Sequence, residues 1–90
     1  MSQYFPNSPA AGAETEDSAG QQYVTDTVNK LVQVWSSTGS DEIGQFLTTE
    51  SGYGIAVDSV HHKIFVAEPT VNLIEVFSAI PPYKKLTTIH

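Results

Sequence analysis

Two stretches decide the fold of this chain: YVTDTVNKLVQVWS at residues 23–36 and FVAEPTVNLIEVFS at residues 65–78. They lie 42 positions apart and align without a gap. Aromatic falls on aromatic at the first position, acid falls on acid at the fourth, and Leu, Val and Ser coincide further on. Matching at both ends indicates that one structural unit is written twice in the 90 residues, which is the signature of a repeat architecture.

Short runs rich in β-branched and aromatic residues, separated by turn residues, predict strands throughout the repeated region. No stretch keeps the 3.6-residue apolar period of an amphipathic helix, so we expect no substantial helix. A unit of about 42 residues with four strands is typical of a β-propeller blade. The predicted strands are residues 22–26, 30–36, 53–58, 63–68 and 72–78, with weaker ones at 43–49 and 83–89.

The first 22 residues differ in composition from the rest, being rich in Pro, Ala, Gly, Ser and acidic residues. Such a segment buries too little apolar area to offset the entropy of ordering. We therefore expect a disordered or long-loop arm at residues 1–22, a partial blade at 23–49 and a second blade at 50–90.

Residues 44–78, GQFLTTESGYGIAVDSVHHKIFVAEPTVNLIEVFS, resemble one NHL repeat. Such repeats carry a Gly-x-Phe lead-in, a Gly-Ile-Ala-Val-Asp strand, an aromatic-Val-Ala-acid strand, an Asn and a closing Val-Phe strand. Residues 23–39 resemble the second half of another repeat. The chain departs from the family pattern at Pro69, where the family usually has Thr, and at Ser51-Gly52-Tyr53, where it usually has Pro.

The resemblance implies an all-β incomplete β-propeller, with one full four-stranded antiparallel blade, part of another and a flexible N-terminal arm. Propellers have about four to eight blades, so this chain is too short to close a ring alone. The implied function is that of a non-catalytic binding or scaffolding module within a larger propeller. The alternative is a fragment of a metal-dependent propeller lyase or lactonase. Self-association through open strand edges, or pairing with further blades, is a third expectation.

Charge and composition narrow the classes of partner. The net charge is −6, and the four lysines form no stripe, which argues against nucleic-acid binding. Cysteine is absent, so disulfides and thiolate sites are excluded. No apolar run approaches the ~20 residues of a membrane span. Acidity, low charge density and the family resemblance favour an extracytoplasmic location for the parent protein.

His61 and His62 are the most chemically suggestive neighbours in the sequence, lying between the predicted strands 53–58 and 63–68. Adjacent residues in extended chain point to opposite sides, so two neighbouring histidines do not readily converge on one metal ion. We interpret the pair as part of a turn. A metal site completed by Asp58 is the competing interpretation, as is a ring of carboxylates around a central channel.

Asp26 and Glu68 occupy the same place in the two copies, and Asn29 and Asn72 follow them. Asp and Asn side chains hydrogen-bond the local backbone in tight turns. We therefore expect both acids to lock the turn between the second and third strands of each unit.

The aligned aromatic pairs are predicted to pack between blades, whereas three tyrosine and phenylalanine residues outside the repeat are free to contact a partner. No phosphate-binding loop, nucleophile elbow or catalytic triad is recognisable. The sequence therefore assigns no catalytic, cofactor-binding or metal-ligating residue. The aligned pairs are Tyr23 with Phe65 and Trp35 with Phe77, and the aromatics outside the repeat are Tyr4, Phe5 and Tyr83.

Overall fold

The computed structural model describes residues 11–90, which form two four-stranded antiparallel sheets with the strands of each in chain order. The helical content of these residues is one 3-10 turn at Pro69–Val71. The prediction of an all-β chain is therefore confirmed. The first sheet contains β1 (Ala11–Glu16), β2 (Gln22–Asp26), β3 (Leu31–Trp35) and β4 (Glu42–Leu47), and the second contains β5 (Gly54–Asp58), β6 (Lys63–Glu68), β7 (Leu73–Ser78) and β8 (Lys85–Ile89).

The first sheet has one more strand than the sequence predicts. β1 lies inside the segment 1–22, so the prediction of an irregular arm is wrong for Ala11–Glu16. Its composition is poor in apolar residues, and it is held instead by its ladder with β2 and by a hydrogen bond from Ala13 N to Thr25 Oγ1 (2.9 Å). The first unit is thus a complete four-stranded sheet. The weaker suggestion of a strand near residues 2–7 lies outside the described residues.

The two sheets repeat each other in backbone detail. Tyr23 pairs with Val34 across β2 and β3, and their counterparts 42 residues later, Phe65 and Val76, pair across β6 and β7. The register of each third strand against its outer neighbour shifts at the same place, just after Val34 and just after Val76. Lys30 and Asn72, also 42 residues apart, both adopt a left-handed backbone (φ 55° and 56°) before the third strand. The repeat read from the sequence is therefore a repeat of conformation.

Each sheet has two faces, which we name by their central residues. The front face carries Tyr23 and Val34 in the first sheet, and Phe65 and Val76 in the second; the back face is the opposite one. The hydrophobic core forms where the front of the first sheet packs on the back of the second. The front of the second sheet and the back of the first are the outer faces of the stack. The buried core residues are Tyr23, Val32, Val34, Phe46, Ile64, Val66, Phe77 and Tyr83.

This arrangement explains why the aligned aromatics are not equally buried. Tyr23 and Phe77 lie in the core at 0% and 3% exposure. Their partners in the alignment, Phe65 and Trp35, lie on the outer faces and are half-buried. One member of each pair therefore packs between the sheets, and the other lies where a further sheet would pack.

Tyr83 corrects another prediction, because it is a core residue (7% exposed) and not a free contact residue. Its ring packs on Phe46 with centroids 5.3 Å apart, and Phe46 in turn lies 4.6 Å from the Phe77 ring. Gly44 makes room for it, since a Cβ there would lie 2.8 Å from Tyr83 Cε2. Tyr4 and Phe5 lie outside the described residues.

Within residues 11–90, no helix has the length and apolar character needed to cross a membrane.

The packing predicts unequal effects for two equivalent truncations. Val32→Ala removes fully buried atoms and should lower the free energy of unfolding by about 2 kcal/mol. Ile74→Ala, at the same place in the second sheet, removes more atoms from a residue that is 36% exposed and should cost less than about 1 kcal/mol. Urea unfolding followed by Trp35 fluorescence at low protein concentration measures both. Equal losses, or a larger loss at Ile74, would contradict the assignment of covered and open faces.

Candidate functional site

His61 and His62 lie in the hairpin connection between β5 and β6, as predicted. The Asp58 carboxylate organises this turn, because its Oδ1 accepts hydrogen bonds from the backbone N–H groups of Val60 and His61 (both 3.1 Å). His61 Nδ1 lies 2.8 Å from Asp58 Oδ2, and these contacts hold the pKa of Asp58 below its usual value, the side chain of His61 contributing most. His62 follows in a left-handed conformation (φ 56°), and both rings are exposed.

The same turn occurs between β2 and β3. Asp26 Oδ1 accepts from the backbone N–H groups of Val28 and Asn29 (both 3.0 Å), and Asn29 Nδ2 donates to Asp26 Oδ2 (2.9 Å). The Asn29 side chain is the main cause of the lowered pKa of Asp26. Lys30 then takes the left-handed position. The predicted turn role of Asp26 is confirmed, and His61 occupies the place that Asn29 occupies in this turn.

Glu68 does not lock a turn, and that prediction is wrong. The turn after it is closed by the 3-10 segment, with the Asn72 N–H donating to the Pro69 carbonyl (3.2 Å). The side chain of Glu68 instead lies on the back face of the second sheet, in line with Ile64 and Val66, and is fully buried.

Glu68 meets a second buried acid, Glu75, and together they hold the segment that joins the two sheets. Glu75 Oε1 accepts from Thr49 N (2.9 Å), and its Oε2 accepts from Thr49 Oγ1 (2.6 Å) and Lys85 Nζ (3.0 Å). Glu68 Oε1 accepts from Glu50 N (3.0 Å). We name Glu68 and Glu75 the carboxyl pair.

The carboxyl pair retains one proton. Glu68 Oε2 is buried and would have no hydrogen-bond partner as an ionised group, whereas a protonated Glu68 donates to Glu75. Burial, followed by the contacts with Glu75, raises the pKa of Glu68. Burial alone would also raise the pKa of Glu75, but hydrogen bonds from Glu68, Thr49 and Lys85 outweigh it and hold that pKa below its usual value.

The chemistry of the carboxyl pair is structural. A protonated and an ionised carboxyl in contact resemble an acid–base couple, but these two side chains are only 0% and 1% exposed. Their contacts are to the 48–53 segment and to Lys85, so their effect is to fix how the sheets are joined. The alternation of β6, which places Glu68 on the face of Ile64 and Val66, is the sequence signal that could have identified the buried acid.

A groove of about 460 Å³ lies on the front of the second sheet. Its walls are mainly apolar and include Tyr53, Ala67, Ile74 and Ile89. Three of these four belong to strands of the second sheet, so the groove is part of its open outer face. It is separate from the turn that carries His61 and His62.

Among the residues that the structure describes, no three His, Asp or Glu side chains lie close enough together to hold a metal ion. Asp58 and His61 form a pair, with no third such group beside them within residues 11–90. A scan of protein-family models finds no match to this chain, and a search of curated proteins also finds none.

The buried proton of Glu68 predicts a dependence of stability on pH. Its pKa is raised above the ordinary 4.5, so stability should fall as the pH rises from about 4.5 through the higher folded-state pKa. Glu68→Gln keeps an acceptor for Glu50 and a donor for Glu75 and should abolish this fall, with a gain of roughly 1–3 kcal/mol at pH 8. Urea midpoints between pH 5 and pH 8 measure it.

The matched control is Glu16→Gln, which changes an exposed acid of β1 and should leave the slope of the wild-type chain intact. An identical slope in Glu68→Gln and the wild type would show that the carboxyl pair holds no proton.

The two aspartate turns predict a graded response to truncation. Asp26→Ala removes three hydrogen bonds from a buried carboxylate and should lower stability by on the order of 2 kcal/mol. Asp58→Ala removes the same contacts where water replaces them, so a smaller loss is expected. His61→Asn installs the residue that works at position 29 and should be close to neutral. Thermal unfolding measures all three, and a large loss in His61→Asn would contradict the equivalence of the turns.

Proposed function

We propose that this chain is a segment of an NHL-type β-propeller that acts as a non-catalytic binding or scaffolding module within a larger ring. The observation that carries the proposal is the front-to-back stacking of two conformationally equivalent sheets. A contact between two different faces of a repeated unit leaves one face of each kind uncovered at the ends. Repetition of such a contact generates a ring when the rotation closes.

The non-catalytic role is supported by what the acidic side chains do. Asp26 and Asp58 are occupied in turns, and Glu68 and Glu75 are occupied in joining the sheets. These groups are the ones that the sequence first offers as chemical candidates, and each already serves the fold. The connections between the strands are mostly exposed, and recognition in such scaffolds resides in loops held by a rigid framework.

The sequence encoded on either side of these 90 residues tests the ring. We expect further units with an aromatic-Val-x-acid strand and a Leu-x-x-Val-aromatic strand at spacings near 42. Flanking sequence without any such unit would overturn the proposal of a larger propeller.

Metal titration tests the module against the lyase or lactonase alternative. We expect Ca²⁺ and Zn²⁺ to bind weakly and equally to the wild type and to Asp58→Asn when measured by calorimetry, because Asp58 is engaged by its own turn. Saturable binding at one ion per chain that is lost in Asp58→Asn would favour the metal-dependent enzyme.

A further inference from the structure

We propose that the front face of the second sheet binds the back face of the first sheet in another copy of this chain, so that the chains associate head to tail. The inference rests on the proposed function in one respect, since it extends the stacking of blades from one chain to two. It names the surface and the partner, which the function alone does not.

The open front face has the chemistry of a buried face. In the first sheet this face is covered, and the cross-strand pair Val32 and Phe46 is 0% and 8% exposed. The equivalent pair in the second sheet, Ile74 and Ile89, is 36% and 48% exposed. Half-buried Phe65 extends this apolar area along the face. Without a partner the second sheet therefore leaves in water the surface that the first sheet buries.

The open back face of the first sheet supplies the complementary half. Leu31 and Trp35 are half-buried there, and Leu47, which pairs with Leu31, is 73% exposed. In the second sheet the place of Trp35 is taken by Phe77, whose ring lies against Phe46 in the core. A second copy docked in the same way brings its Trp35 towards Ile89 of the first.

Steric detail favours the first sheet of the partner as the occupant. In the core Tyr83 reaches Gly44, where no side chain obstructs it. On the open front face Thr87 takes the place of Gly44, since it pairs with Val76 as Gly44 pairs with Val34. An occupant with a tyrosine at this place would collide with Thr87. The β3–β4 connection of this chain, residues 36–41 (SSTGSD), carries only small polar and acidic residues there.

The contact joins two unlike surfaces, so it is heterologous and each chain keeps one free surface after pairing. Two variants can therefore block the two surfaces separately. Ile89→Lys places a charge on the front face of the second sheet, and Leu47→Lys places one on the back face of the first. Val60→Lys is the matched control, because Val60 is 81% exposed in the β5–β6 turn and belongs to neither surface.

Sedimentation of each protein across a range of concentrations is the first measurement. We expect the wild type and Val60→Lys to associate with increasing concentration, accompanied by a blue shift of the single tryptophan, Trp35. Ile89→Lys and Leu47→Lys should each weaken association by at least about tenfold, since each buries an unpaired charge. Circular dichroism confirms that both variants keep their sheets.

Mixing the two blocked variants is the decisive measurement. Ile89→Lys retains a good back face and Leu47→Lys retains a good front face, so the mixture should form a one-to-one dimer that neither variant forms alone. A monomeric wild type, a monomeric mixture, or undiminished self-association of either variant would overturn the proposal. Flanking repeats found alongside a monomeric chain would defeat this inference and leave the proposed function standing.

Discussion

The contact between the front of the first sheet and the back of the second is the constraint on which the structure depends. A four-stranded sheet of about 40 residues buries one face only by packing it on something else. Here Tyr23, Val32 and Val34 from one sheet are sealed against Ile64, Val66 and Phe77 from the other. The two units stabilise each other, and the burial of every large side chain follows from its position relative to this interface.

The carboxyl pair is the polar counterpart of that contact. Glu68 and Glu75 lie on the back face of the second sheet beside the apolar core and bind the backbone of Thr49 and Glu50. Because this segment connects the outermost strand of one sheet to the first strand of the next, the pair fixes how the chain passes between units. A shared proton avoids two adjacent buried charges, and Lys85 neutralises the one that remains.

Front-to-back stacking also connects the fold to the proposed role. A module whose ends carry the two unlike halves of its own internal interface is suited to continuation, either within a longer chain or between chains. Its acids serve turns and the joint between sheets, while its exposed connections remain available for recognition. The half-buried Trp35 and Phe65 mark the two ends at which stacking continues.

Sequence alone determined the strands from residue 22 onward, the period of 42 and the turn role of Asp26, because alternation of apolar residues and local side-chain-to-backbone hydrogen bonds are short-range effects. Tertiary structure decided what depends on partners distant in the chain. β1 forms because β2 offers it a ladder, Tyr83 is buried because Gly44 leaves space for its ring, and Glu68 keeps a proton because Glu75 faces it across the back of the sheet. Equivalent residues in the repeat differ in exposure for the same reason, since a period in sequence fixes which face a side chain is on, and only the packing of the sheets decides whether that face is covered.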